Sequence, residues 1–304
     1  MQIKEASKKW NISERRIRQL IKDGRVENAI KIGNTWNIPD DTNKPIDKRI
    51  KEKNDFIINI DKDYFKEIDK KLEILNSKRP LSKEAIFSLQ NAINLEWIYN
   101  SNAIEGNTLT LKETKVVLEG ITVGGKNIRE ILETINHENA IEYLEELVKD
   151  NNELSEWNIK QSHQLILKGI DDNNAGKYRN SNVTISGAKH IPPEYIKVPE
   201  LMEKLIINYD NWNKLHPIIR SVLLHGELVK IHPFIDGNGR LSRLIMNMDL
   251  MKSGYVPVII KREDRLKYYE VLDKAHTTKD YTDFIKLVAE SENEMLDRYL
   301  EIIK

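Results

Sequence analysis

From about residue 64 to the end of the chain, apolar residues recur at spacings of three and four, the period of a helix with one buried face. Ile86, Leu89, Ile93 and Trp97 mark such a face after Leu81-Ser-Lys-Glu84, with Ser82 as the cap, and Gly106 closes the helix. The same spacing predicts helices over 110–120, 128–148, 155–170, 198–215, 217–231, 239–253, 262–275 and 280–303. One break interrupts it, at 178–193. There Val183, Thr184, Ile185, Ser186 and Gly187 alternate and Ile191-Pro192-Pro193 ends the run, which predicts a short β-hairpin inside a helical domain. The first 40 residues have a different rhythm. A short helix over 3–9 is followed by Ser13 as an N-cap, then by a second helix over 14–23 with Ile17, Leu20 and Ile21 on one face and Gly24 at its stop. Residues 29–38 alternate around Gly33-Asn34, a hairpin signature, and the polar run over 40–53, with Pro45, reads as a linker. The expected architecture is all-α with one small hairpin flap. A small unit over 1–45 and a linker with connecting helix over 46–84 precede a main domain over 85–304.

Composition narrows the function classes. Of 304 residues, 39% are hydrophobic and 32% charged, enough for a real core under an ordinary polar surface. Lys and Arg together number 48 and so do Asp and Glu, so no net field recruits nucleic acid or membrane. The absence of cysteine removes disulfides, thiolate metal sites and cysteine nucleophiles together. The apolar runs are far shorter than the roughly 20 residues of a membrane span, and the first residues lack a signal peptide's apolar core. A cytoplasmic location without membrane contact is the expectation.

The chemistry gathers in one run, His232-Pro-Phe-Ile-Asp-Gly-Asn-Gly-Arg-Leu-Ser-Arg243. A glycine-flanked turn that opens a helix aims free N–H groups and the positive dipole end at one spot, and Gly237, Asn238 and Gly239 supply that turn. Arg240 and Arg243, three apart, leave the same helix face, and each guanidinium can grip a phosphate with a fork that lysine lacks. Asp236 is a hard oxygen ligand suited to Mg²⁺ bridging phosphates, and His232 has the near-neutral titration of a general base. The remaining histidines show no zinc-ligand spacing.

This run resembles the Fic family motif, H-P-F-x-(D/E)-G-N-G-R-x-x-R, at every defined position. Residues 110–120 with Val123-Gly-Gly-Lys126, Glu133-x-x-Asn136-x-x-x-Ala140, and Arg265-x-x-Tyr268-Tyr269 extend the similarity over about 85–300. The resemblance implies AMP transfer from Mg²⁺-bound ATP to a Ser, Thr or Tyr hydroxyl of a target protein. His232 would be the base, Asp236 the Mg²⁺ ligand, Gly237, Asn238, Gly239 and Arg240 the seat of the transferring phosphate, and Arg243 the holder of the γ-phosphate. Gly239 fits AMP transfer, because relatives that act as kinases tend to carry Lys there. Val183–Gly187 resembles the flap that pairs with a target segment. Tyr268 and Tyr269 resemble adenine-pocket positions, and His276 stands where relatives often have Asn.

Ser101-Asn-Ala-Ile-Glu105-Gly106 resembles the inhibitory helix motif of regulated Fic enzymes, (S/T)-x-x-x-E-(G/N), within a helix over about 85–107. It implies a brake in cis, in which Glu105 takes the guanidinium of Arg243 that the γ-phosphate needs. In some braked relatives the same glutamate also serves AMP removal. The first unit resembles a winged helix-turn-helix of the excisionase or MerR type, with Arg15, Arg16 and Arg18 on its second helix toward DNA. A helix-turn-helix that docks protein is the blander alternative. Two further readings stay open: a DNA-binding regulator whose Fic module senses nucleotide, and transfer of another phosphate-containing group. The sequence names neither the target nor any homo-oligomeric partner.

Overall fold

Periodicity and capping chemistry together decide where each element begins. The computed structural model describes the chain apart from residues 11, 13, 23–25, 27–28, 34, 41, 43–55, 82 and 304, and apart from the side chains of residues 16, 19, 32 and 83–86. The expected roles of Ser13, Gly24, Asn34, Ser82, the 43–53 part of the linker and the side chain of Arg16 lie outside the described residues.

The chain divides into two units, Met1–Asn54 and Asp55–Lys304. In the first, α1 (Ile3–Trp10) and α2 (Glu14–Lys22) precede an antiparallel pair, β1 (Ile30–Ile32) and β2 (Thr35–Asn37), in register Lys31 to Trp36. Ile3, Ala6, Trp10, Ile17, Leu20, Ile21, Val26 and Ile38 form its core. Arg15 is exposed, and Arg18 is paired with Glu14 one turn back at 2.8 Å.

In the second unit, α3 (Lys66–Ser77), α4 (Lys83–Ile104), α5 (Leu111–Leu118), α6 (Ile128–Lys149), α7 (Glu156–Leu167), α8 (Val198–Asn211), α9 (Pro217–Ile231), α10 (Asn238–Lys252), α11 (Arg265–Thr278) and α12 (Thr282–Ile302) follow in order. Several starts are written in capping residues. Thr110 and Glu113 open α5, and Asn127 and Glu130 open α6, each as a reciprocal box that satisfies two first-turn N–H groups. Ser155 caps α7, and Pro217 starts α9 at the position where a missing N–H costs nothing.

The central element is α10, buried from Asn238 through Leu250 except for Gly239 and packed mainly on α9. A helix covered all round shows little amphipathicity, and its buried polar residues need partners. Asn247 finds them by donating to the Val258 carbonyl and accepting the Val258 N–H, both at 2.9 Å, which staples the apolar run over 255–260 to α10. At Gly226 in α9, a Cβ would overlap the Tyr281 ring, so glycine lets α12 approach.

The expected helices form with ends shifted by a few residues, and two of them include a 3₁₀ turn, Trp212–Lys214 after α8 and Arg262–Asp264 before α11. The expected hairpin at 183–187 is different. Residues 182–185 carry no regular structure before a turn at Ser186-Gly187, and no ladder links the two arms. The returning arm is tied elsewhere. Asp273 Oδ1 accepts the N–H groups of Lys189 and His190 at 2.8 and 3.1 Å, and His190 bonds the Lys230 carbonyl at 2.9 Å.

Glu292 on α12 is fully buried, accepting only the Val256 N–H at 3.2 Å, and burial pushes its carboxyl up to about 8. A raised folded pKa stabilises below the unfolded value near 4.5, and that stabilisation is lost as pH rises through about 8. Glu292→Gln, which cannot ionise, should therefore gain on the order of 4 kcal/mol relative to the parent near pH 8. Thermal unfolding should show the gain at pH 8 and its disappearance near pH 4.5.

Candidate active site

The site begins where α9 ends. His232 adopts left-handed backbone angles, φ 50 and ψ 59, and its N–H closes on the Leu228 carbonyl at 3.1 Å. Such a conformation persists in a non-glycine residue only when its surroundings enforce it. Here the enforcement comes from Phe234 and Asn238. Phe234 is fully buried, stacked on the His163 imidazole at 3.7 Å, and Asn238 closes the loop by accepting the Phe234 N–H at 3.0 Å and donating to its carbonyl at 2.9 Å. His163 Nδ1 accepts from the Gly176 N–H at 2.9 Å, which leaves the proton on Nε2 to be donated to the Asp236 carbonyl, also at 2.9 Å. Burial holds His163 down to about 4, so it stays neutral. Gly237, at φ 76, turns the chain into α10.

At the start of α10 the first-turn N–H groups have no acceptor within the helix. Arg240, 2% exposed, has Nη1 at 3.3 Å from Glu133 Oε1 and Nη2 at 3.7 Å from Asp236 Oδ1. Its buried Nε and Nη1 nevertheless have no hydrogen-bond partner. A buried guanidinium with unspent donors beside a helix N-terminus is an anion seat. Burial raises the Asp236 carboxyl, but Arg240, the Gly237 N–H at 2.6 Å and Arg129 more than offset it and keep it below the usual carboxylate range.

Arg243 is 3% exposed and fully engaged. Its Nε donates to Ser101 Oγ at 3.1 Å, and Nη2 donates to the Ser101 carbonyl and to Glu105 Oε1, both at 2.8 Å. Nη1 reaches the Tyr268 hydroxyl at 3.4 Å. Burial alone would lower the guanidinium; Glu105 and Tyr268 reverse that and raise it. Gly239 makes room for this pair, because a Cβ there would overlap Glu105 Oε1. The glutamate thus lies over the first turn of α10.

The other expected residues divide. Tyr268 is buried, its hydroxyl within 2.9 Å of His225 Nε2 as well as against Arg243, and burial pushes it up to about 12. Tyr269 is partly exposed and donates to the Ile104 carbonyl at 3.0 Å, holding the last residue of α4. His276 bonds the Gly226 carbonyl at 2.9 Å and lies edge-on to His190, with burial lowering it to about 3. The turn over 183–187 stays apart from these contacts.

Four residues at the site have no local signature in the sequence: His163, Arg129, Glu133 as a charge partner, and Arg179. Arg179 donates through Nε to the His232 carbonyl and through Nη1 to the Ser181 carbonyl, both at 2.9 Å, and through Nη2 to the Pro193 carbonyl. Its own N–H bonds the Pro233 carbonyl at 2.9 Å. One residue therefore fixes the loop at His232-Pro233 and both arms of the 181–193 segment. His232 is lowered to about 4, first by burial and further by Arg179, against opposing pulls from the Val229 carbonyl, the larger of the two, and from Glu105; its Nδ1 is enclosed.

The Fic/DOC family model matches residues 153–250, which contain this loop. The C. elegans Fic-1 structure is 32% identical, with a TM-score of 0.69, over 78% of this chain and 71% of that one. The chain belongs to the Fic/DOC family. A Fic domain-containing signaling protein from Bacteroides thetaiotaomicron aligns at 27% identity and a TM-score of 0.72, over 78% of this chain and 96% of that one. "Protein adenylyltransferase Fic" of Drosophila erecta is 35% identical over 249 residues, and that of Drosophila melanogaster 36% over 241. Those stretches cover 81% and 76% of this chain but 50% and 48% of the fruit-fly proteins, so the chain spans about half the length of these relatives.

Arg179 at the Fic loop gives a direct test of positioning. Arg179→Met keeps the apolar stem and removes three donors, which should cost about 2–4 kcal/mol in stability. Hydrogen exchange should accelerate at least tenfold over 179–193, with α10 less affected.

Proposed function

We propose that this Fic chain is a self-inhibited protein adenylyltransferase, moving AMP from ATP to a hydroxyl side chain of a target protein or of itself. The observation that carries the reading is the arrangement at the start of α10, where His232, Asp236, Arg240 and Arg243 surround a helix N-terminus whose buried arginine donors lack partners. The names of the fruit-fly relatives point the same way.

In this reading the target hydroxyl oxygen attacks the α-phosphorus, the bond to the α–β bridging oxygen breaks, and pyrophosphate leaves. The hydroxyl proton passes to His232, through Nε2, since Nδ1 is enclosed. A buried imidazole lowered to about 4 is a weak base, but a polyphosphate placed beside it raises it again. The first-turn N–H groups and Arg240 stabilise the charge on the transferred phosphate, so the protein contributes positioning and a fixed field. Among the described residues no group of three or more His, Asp or Glu side chains could cage a metal ion. That fits Mg²⁺, which is commonly held by one or two carboxylates together with substrate phosphates and water, and Asp236 is the carboxylate at hand. When bound, the ion would neutralise charge shared by two phosphates.

Glu105 supports the self-inhibited part. It holds the Arg243 guanidinium and lies over Gly239, so a triphosphate would lose a cation and meet an anion. Because both partners belong to one chain, no second protein is needed to apply the block.

The first unit favours a second activity. Residues 1–54 carry 14 Lys and Arg against 8 Asp and Glu, an excess hidden in the neutral total. Together with the exposed Arg15 beside Arg18 on α2, this supports binding of duplex DNA by the unit. Gel-shift titration of the full chain on random duplex should then weaken steeply with salt, and Arg15→Ala should reduce the salt slope; salt-independent or undetectable binding rejects it.

Three outcomes test the transfer reading. Label should pass to protein from α-labelled and not from γ-labelled ATP; retention of γ-label would indicate transfer of another group. His232→Ala should lose about 10²–10⁴-fold in rate, and wild-type activity should be flat from about pH 7.5 upward because the base is already neutral there. Glu105→Gly should raise incorporation at least about tenfold, with Glu105→Asp intermediate, since roughly 1.4 kcal/mol suffices for that factor. Equal incorporation by wild type and Glu105→Gly, with ATP bound by both, would remove self-inhibition.

A further inference from the structure

Asp236 is already occupied. Its Oδ1 accepts the Gly237 N–H at 2.6 Å and faces Arg240 Nη2 at 3.7 Å, while its Oδ2 accepts from Arg129 Nη2. The two arginines differ in kind. Arg240 is walled in, with a side chain 3% exposed, whereas the Arg129 side chain is 52% exposed and reaches over from the first turn of α6. Arg129 has a second tether, since its Nε donates to Glu133 Oε1 at 3.2 Å one turn along the same helix. Glu133 in turn accepts Asn107 Nδ2 at 3.1 Å and lies 3.3 Å from Arg240 Nη1.

We infer that Arg129 is a built-in competitor for the divalent cation at Asp236, a positioning residue that must withdraw before the cation can be ligated. This rests on reading Asp236 as the metal carboxylate. A guanidinium donating to Oδ2 and a dication bound to the same oxygen exclude each other, both by contact and by like charge. Withdrawal is inexpensive, because Arg129 keeps Glu133 when it leaves Asp236 and its side chain is already half in solvent. Removing it therefore favours the cation modestly, in keeping with the small worth of an exposed ion pair. The same glutamate binds Asn107, two residues beyond Glu105, so the carboxylate that receives the withdrawn arginine also anchors the end of the inhibitory helix.

The experiment is a Mn²⁺ titration of the full chain saturated with ADP, read as free Mn²⁺ by electron paramagnetic resonance, a measurement independent of transfer. Arg129→Gln should bind Mn²⁺ about three- to tenfold more tightly than wild type, and Arg129→Lys should fall between. Asp236→Asn should bind it at least tenfold more weakly. Equal Mn²⁺ affinity in wild type and Arg129→Gln, with Asp236→Asn weakened, would overturn the competitor role and leave the metal carboxylate standing. Undiminished Mn²⁺ binding by Asp236→Asn would overturn both. Unchanged metal-free ADP affinity and thermal midpoint in the Arg129 variants establish that the folded site is being compared.

Discussion

Arg243 is a guanidinium almost entirely removed from water whose three nitrogens all find partners, and it sets the terms for the site around it. It sits on the most enclosed helix of the fold, and its partners come from two other helices and the turn that follows one of them, Ser101 on α4, Glu105 just beyond the end of α4, and Tyr268 on α11. Unpaired, such a charge would be strongly destabilising; paired, it draws three helices to one point. Tyr268 must then be buried and oriented by His225, and Tyr269 next to it secures the last carbonyl of α4. The position of α4 relative to α10 follows from satisfying one cation.

Electrostatics at the mouth of the site is lopsided for the same reason. Arg129, Arg179, Arg240 and Arg243 converge on a loop where Glu105, Glu133 and Asp236 are the nearby carboxylates. Arg179 is spent on main-chain carbonyls, so it contributes field without neutralisation. Histidines inserted into this region stay neutral, since both burial and neighbouring guanidiniums disfavour the imidazolium. Within the chain, Glu105 and the local pairs of Arg129 and Arg240 offset part of this imbalance.

The parts of this site legible in the sequence are those whose geometry is local. A helix end, a glycine turn and two arginines three apart fix their own relations within twelve residues, so the loop from His232 to Arg243 could be read directly. Helices were legible because apolar spacing and capping residues are local as well. Pairing across the fold was legible only where a resemblance supplied it, as for Glu105. Nothing near Arg129, His163 or Arg179 marks them, because their partners lie 107, 73 and 53 residues away for Asp236, the Asp236 carbonyl and the His232 carbonyl. The segment at 183–187 shows the converse error. Its alternation fits a strand, but the N–H groups of Lys189 and His190 on the returning arm are taken by Asp273 and the His190 ring by the Lys230 carbonyl, which periodicity does not report.

The contact between Glu105 and the bare backbone of Gly239 ties two distant positions into one inheritance. A side chain acquired at 239 needs the space that the carboxylate fills, so it would be tolerated far more readily after position 105 had shortened than before. Loss of the glutamate carries no such precondition. Descendants of this sequence can therefore shed the carboxylate in a single step, whereas any lineage that first fills position 239 must reshape the end of α4 to survive. The order of events is constrained by a methyl group's worth of room.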